Sequence, residues 1–168
     1  DYPKNGRLLN PALGGGALFD VGIYPISTVR DIMNCDPLKI KCTQMMNQDH
    51  IDLMSTYNYM FKNGAIATLY SAINTNTEIV LFISGTEGTI KMPQFFYPDT
   101  LTYTKTDGYA ETYHFPKLGQ GYTYEIEAFC QSLLKGQLEN EIMPLYETMA
   151  IMNLLDLISV KIGYIHFR

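Results

Sequence analysis

The stretch Gly14-Gly15-Gly16-Ala17-Leu18-Phe19-Asp20-Val21-Gly22-Ile23-Tyr24-Pro25 runs flexible glycines into an apolar segment that sets a carboxylate and a phenol four residues apart. At helical spacing, residues i and i+4 share a face, so Asp20 and Tyr24 fall on one side of a helix. Three consecutive glycines admit positive φ and let the backbone approach another segment or a ligand closely. The two polar groups are then presented at a cleft. Taken alone, the pattern equally describes a surface turn before an ordinary amphipathic helix.

Working outward, Leu18, Ile23, Ile26, Val29 and Ile32 keep helical spacing from Gly16 to about Met33, with Pro25 expected to kink or locally break the hydrogen-bond ladder. Asn34, Asp36 and Pro37 stop that helix. A β region begins near Ile40–Met46. In residues 50–61, alternation puts Ile51, Leu53, Ser55, Tyr57, Tyr59 and Phe61 on one face and Asp52, Met54, Thr56, Asn58 and Met60 on the other. Lys62-Asn63-Gly64 predicts a hairpin turn into a strand over 65–74. Residues 78–84 and 89–92 form a second hairpin through Gly85–Gly88, and 101–105 pairs with 109–115 through Thr106-Asp107-Gly108. Helical periodicity returns at Tyr122, Ile126, Phe129 and Leu133, a predicted core stripe, and after Pro144 at Leu145, Met149, Met152 and Leu155. The expectation is an α+β fold: one large, mostly antiparallel, open-faced sheet with helices on one face.

Three ordered segments carry a resemblance over nearly the whole chain. Arg7-Leu8-Leu9-Asn10-Pro11-Ala12-Leu13 leading into GGGALFDVGIYP resembles the entry to the C-terminal domain of the Gfo/Idh/MocA oxidoreductases (glucose-fructose oxidoreductase, inositol dehydrogenase, rhizopine catabolism). Gly85-Thr86-Glu87-Gly88-Thr89-Ile90 is similar to the family's G-x-x-G strand turn. Gly121-Tyr122-Thr123-Tyr124-Glu125-Ile126-Glu127-Ala128-Phe129, Gly136 and Met143-Pro144-Leu145-Tyr146-Glu147-Thr148-Met149 resemble its closing helices. Tyr24, where many members carry His, most resembles the dihydrodiol dehydrogenase and glucose-fructose oxidoreductase branches.

The resemblance implies a dihydrodipicolinate-reductase-like or glyceraldehyde-3-phosphate-dehydrogenase-like C-terminal domain spanning residues 1–168, which binds substrate and dimerises through its sheet. It also implies a partner Rossmann domain with a dinucleotide fingerprint and a catalytic lysine. No G-x-G-x-x-G follows a strand and opens a helix in this sequence. The chain starts at Asp1 without Met, so it is expected to be an excised C-terminal half, inactive alone. The implied chemistry is hydride exchange between NAD or NADP, bound mainly by the other half, and a sugar, polyol or dihydrodiol. Which nicotinamide is used is left open, because the reader of the 2′-ribose belongs to that other half.

In that setting Tyr24 is the candidate proton donor or acceptor, since a phenol with an ordinary pKa of about 10 serves when a cation lowers it. Asp20 is expected to orient the substrate hydroxyl or to tune the site electrostatically. Arg7, whose planar fork binds oxyanions, and Tyr124 are candidate substrate contacts. Each has a plainer role open to it: a packed tyrosine, a helix-surface carboxylate, a solvated arginine, a core aromatic. A second functional class also stands, a non-catalytic binding or scaffold module that keeps the dimerising sheet.

Composition constrains the partners. With 46% hydrophobic and 17% charged residues, the chain is sparsely charged against the usual quarter, which favours an apolar surface covered by a partner. A net charge of −5 with scattered basic residues argues against nucleic acid. No apolar run is expected to reach the roughly 20 residues of a membrane span. Cys35, Cys42 and Cys130 lack disulfide or zinc spacing, and His50, His114 and His166 lack metal-ligand spacing, so no metal and a cytoplasmic setting are expected.

Overall fold

Pro25 has no N–H to give to the carbonyl four residues back, and the chain answers by widening the helix just before it. A π-helical turn, Leu18–Gly22, leads into α1, Ile23–Met33. Asn34 closes α1 in the left-handed region, its N–H bonded to the Arg30 carbonyl. The irregularity that the sequence predicted at Pro25 is therefore an inserted wide turn. The computed structural model describes residues 6–119 and 121–164; His166 lies outside them.

The chain divides into two compact units, residues 1–77 with 145–168, and residues 78–144. In the first, β1 (Lys39–Met46), β2 (Asp52–Met60) and β3 (Ile66–Ala72) form an antiparallel sheet in that order. The Asn63-Gly64 turn joins β2 to β3 as expected, with Gly64 at φ +87°. Tyr57, Tyr59, Phe61 and Leu69 face inward, where Ile26 and Val29 of α1 and Ile151, Leu154, Leu155, Ile158 and Ile162 of α3 (Leu145–Ile162) complete the core. The expected α3 stripe is corrected. Leu155 is buried, but Leu145, Met149 and Met152 are exposed, because α3 is apolar all round and spacing alone cannot pick its inner face.

Arg30 ties the two helices together. Its Nε and Nη2 grip Glu147 at 2.6 and 3.0 Å, a bidentate pair with side chains only 11% and 18% exposed, and its Nη1 pairs with Asp36.

The second unit holds β4 (Val80–Gly85), β5 (Gly88–Pro93), β6 (Thr100–Lys105) and β7 (Ala110–His114), an antiparallel meander, and α2 (Tyr122–Leu134). Gly85 pairs with Gly88 across the predicted hairpin turn. The antiparallel α+β class holds. The strands, however, form a three-stranded and a four-stranded ladder in place of one continuous sheet. A second correction concerns α2, whose Tyr122, Ile126, Phe129 and Leu133 are all exposed where a core stripe was expected.

A third correction concerns Pro11–Met33, which is long and apolar enough by length and composition to cross a membrane. Here it is broken into a 3-10 turn, a glycine turn and a helix, and its Leu18, Ile26 and Val29 belong to the core.

Candidate functional site

The glycine triplet seats the helix that carries Asp20 and Tyr24. A Cβ on Gly15 would stand 2.7 Å from the carbonyl oxygens of Arg7 and Leu8, so the preceding turn folds directly onto its backbone. Gly16, at φ +108°, lies against the Tyr164 hydroxyl and Asp52 Oδ1. The space beside Gly15 and Gly16 is thus filled by the protein's own oxygens, and their N–H groups are already bonded to the Asn10 and Leu8 carbonyls. A dinucleotide diphosphate needs the opposite, exposed N–H groups, so this loop does not fit a phosphate cradle.

The turn Arg7–Leu9, held by Gly16 N–H donating to Leu8 O at 2.9 Å, brings Arg7 to the start of the helix. There its Nη2 forms an ion pair with Asp20 Oδ1, with side chains 53% and 24% exposed. Two of the predicted site residues are therefore in contact. Tyr24 sits on the first turn of α1, 47% exposed, and its carbonyl accepts from Thr28 Oγ1 at 2.8 Å. Between them Gly22 rests on the sheet: a Cβ there would meet the Tyr57 hydroxyl at 3.0 Å and Ser71 Oγ at 3.3 Å, groups hydrogen-bonded to each other at 2.8 Å.

Tyr124 lies on α2 in the second unit. Its hydroxyl lies 3.2 Å from both the Pro116 carbonyl, to which it donates, and the Leu118 N–H, from which it accepts.

Sequence reasoning passed over Asp52, which alternation had set on the face opposite Tyr57 and Tyr59. In the structure it is fully buried, because the register slips between Met45 and Met46: Met45 pairs with Met54 but Met46 with Asp52, leaving Leu53 as the extra residue of a bulge. Asp52 Oδ2 accepts from Leu18 N–H at 3.0 Å and Ser55 Oγ at 2.7 Å, and Oδ1 accepts from the Tyr164 hydroxyl. Burial raises the Asp52 pKa, against these hydrogen bonds, which lower it; burial and the adjoining carboxylate also hold the Tyr164 phenol well above its ordinary value. No spacing signal marks Asp52 or Tyr164 in the sequence.

Residues 1–91 match the family model described as GFO/IDH/MocA C-terminal domain. The chain is 30% identical, over 95% of its length and 51% of the relative's, to trans-1,2-dihydrobenzene-1,2-diol dehydrogenase of Xenopus laevis. It is 28% identical, over 57% of its length and 28% of the relative's, to D-xylose 1-dehydrogenase [NADP(+)] of Haloarcula marismortui. Among solved structures, aldose-aldose oxidoreductase from Caulobacter crescentus complexed with glycerol aligns with a TM-score of 0.82 at 18% identity, over 96% of this chain and 50% of that one. KijD10, a 3-ketoreductase from Actinomadura kijaniata in complex with NADP and TDP-benzene, aligns with a TM-score of 0.77 at 20% identity, over 92% and 48%. The chain spans about half the length of the dihydrodiol dehydrogenases and solved structures it matches.

Proposed function

The chain belongs to the GFO/IDH/MocA C-terminal domain family, and from that premise we propose that it is the substrate-binding half of an oxidoreductase acting on a CH–OH group of a sugar, polyol or dihydrodiol. The observation that carries the reading is the Arg7–Asp20 ion pair at the start of the helix that presents the Tyr24 phenol. A substrate hydroxyl bound there meets an acceptor in Asp20, oriented by Arg7, and a proton-transfer group in Tyr24. The carbinol oxygen loses or gains its proton through Tyr24 while Asp20 holds the hydroxyl in one orientation.

The nicotinamide implied by the family, NAD or NADP, finds no phosphate cradle in the glycine turn, and no step is assigned to it on this chain. Its binding is proposed to lie in the other half of the enzyme.

Self-association through the sheet is part of the same proposal. The outward face of the first sheet offers the cross-strand pairs Met60 with Ile66, Thr56 with Tyr70, and Met54 with Ala72. Such a face is suited to a second copy. Sedimentation at micromolar concentration is expected to give a dimer, and a monomer would remove this part of the proposal.

The test of function is nicotinamide turnover by the full-length protein across sugars, polyols and dihydrodiols, with Tyr24→Phe alongside. Turnover that collapses in the variant supports the reading. Neither turnover nor nicotinamide binding in the full-length protein would favour a non-catalytic scaffold instead.

A further inference from the structure

Among the described residues, Asp52 is the one fully buried acidic side chain, and it ties strand β2 to the origin of the site helix. It accepts from the backbone N–H of Leu18, the first residue of the π turn, and from Ser55 and Tyr164. Tyr164 closes the group: its hydroxyl accepts from Asp52 N–H at 3.3 Å, stands 3.2 Å from the Gly15 carbonyl, and its ring packs on Phe19 with centroids 5.5 Å apart.

A π turn holds more residues per turn than an α-helix, so it persists only where the surroundings hold it. Relaxation of the wide turn to regular α spacing would shift register by one residue and rotate the downstream helix by about 100° about its axis. Asp20 lies inside the wide turn and Tyr24 beyond it. Their relative aim therefore depends on where the turn begins, and a carboxylate at the exposed N–H groups of a helix start is an electrostatically favoured pin.

We infer that Asp52, clamped by Tyr164, is a positioning residue that fixes the register of the π turn and so the mutual aim of Asp20 and Tyr24 toward substrate. The inference rests on the proposed function for its catalytic consequence only; its structural half is independent of activity.

The test uses the full-length protein with Asp52→Ala, Asp52→Asn and Tyr164→Phe. Asn keeps an oxygen for Leu18 and Ser55, and its amide donates to a turned Tyr164 hydroxyl, so Asp52→Asn is the rescue variant. Asp52→Ala and Tyr164→Phe are expected to lower kcat by about 10- to 100-fold with KM within about threefold, while Asp52→Asn stays within about threefold of wild type. In a Tyr24→Phe background, Asp52→Ala is expected to cost less than about threefold, because the group it aims is gone.

Hydrogen exchange at Leu18–Gly22 is expected to quicken about tenfold or more in Asp52→Ala and Tyr164→Phe, with α3 unchanged. If Asp52→Ala does not fold, Tyr164→Phe, which removes one oxygen, decides. Unchanged exchange in Tyr164→Phe overturns the inference whatever the activity, as does unchanged kcat in an active enzyme. An inactive wild type with quickened exchange in the variants overturns the functional reading and leaves the positioning intact.

Discussion

Arg7 and Asp20, 13 residues apart in sequence, are joined by an ion pair from Nη2 to Oδ1 that fastens the entry turn to the site helix. The pair is open to solvent on the Arg7 side, so it contributes little to stability and more to orientation. Arg7→Ala is expected to cost no more than about 1 kcal/mol in chemical unfolding, the ordinary range for exposed pairs. Its kcat/KM is expected to fall about threefold to tenfold, since Asp20 loses the partner that orients it. An unchanged kcat/KM would show that Asp20 needs no such orientation.

Tyr24 is half-exposed and outside the core, so Tyr24→Phe is expected to shift unfolding by no more than about 0.5 kcal/mol. Loss of its hydroxyl is expected to lower kcat by about 10²- to 10⁴-fold, the usual scale of a general acid or base, with substrate binding retained. Steady-state kinetics beside thermal unfolding separates the two effects.

Asp52 links stability to pH. Its folded pKa is raised, chiefly by burial, so the folded state holds its proton more tightly than the unfolded chain does. That contribution is complete below the ordinary carboxylate range near 4 and is lost as pH rises through the folded pKa. The stability of wild type relative to Asp52→Asn is therefore expected to fall as pH is raised from about 4, by at most about 1.4 kcal/mol per pH unit. Denaturant titrations of both proteins across that range check it, and a difference that grows with pH would reverse the assignment.

The Arg30 clamp is planar and bidentate, which lysine cannot reproduce. The hydrogen bond to Glu147 raises the Arg30 pKa, against burial, which lowers it, with smaller coulombic contributions from Asp36 and Glu147, so the guanidinium stays charged at any working pH. Arg30→Lys is expected to cost about 1.5–3 kcal/mol, against less than about 0.5 for Lys91→Ala at the exposed 3.5 Å pair with Glu78. Equal costs in urea unfolding would place the Arg30 pair among ordinary surface contacts.

Tyr59 buries a hydroxyl that has no hydrogen-bond partner among the described residues, which costs free energy that phenylalanine would not. Tyr59→Phe is expected to raise stability by about 1 kcal/mol at unchanged activity, readable as a higher midpoint in the same titration. A loss of stability would point to a bridging water at that hydroxyl.

Much of the fold was legible. The Asn63-Gly64 turn has one good backbone solution, Gly85–Gly88 another, and β2 alternates cleanly from Ser55 to Met60. That Asp20 and Tyr24 share one helical segment was legible for the same reason, local spacing. Asp52 was not, because a single extra residue at Leu53 reverses the parity of the strand, and nothing local announces a bulge. Tyr164 was invisible too, since its partners lie more than a hundred residues away. The inner face of α3 failed differently: where every face is apolar, periodicity carries no direction.

The first unit is split in the chain, leaving at Thr77 and returning only at Leu145. During synthesis, the site helix and the first three strands emerge with half of their core lid still unmade, and the intervening segment must pass through the ribosome before α3 can be laid down. At about 5–20 residues per second that is a delay of several seconds with Ile26, Tyr57 and Phe61 uncovered. The nascent protein thus carries an aggregation hazard while residues 78–144 are being translated, and slowing codons there would lengthen it.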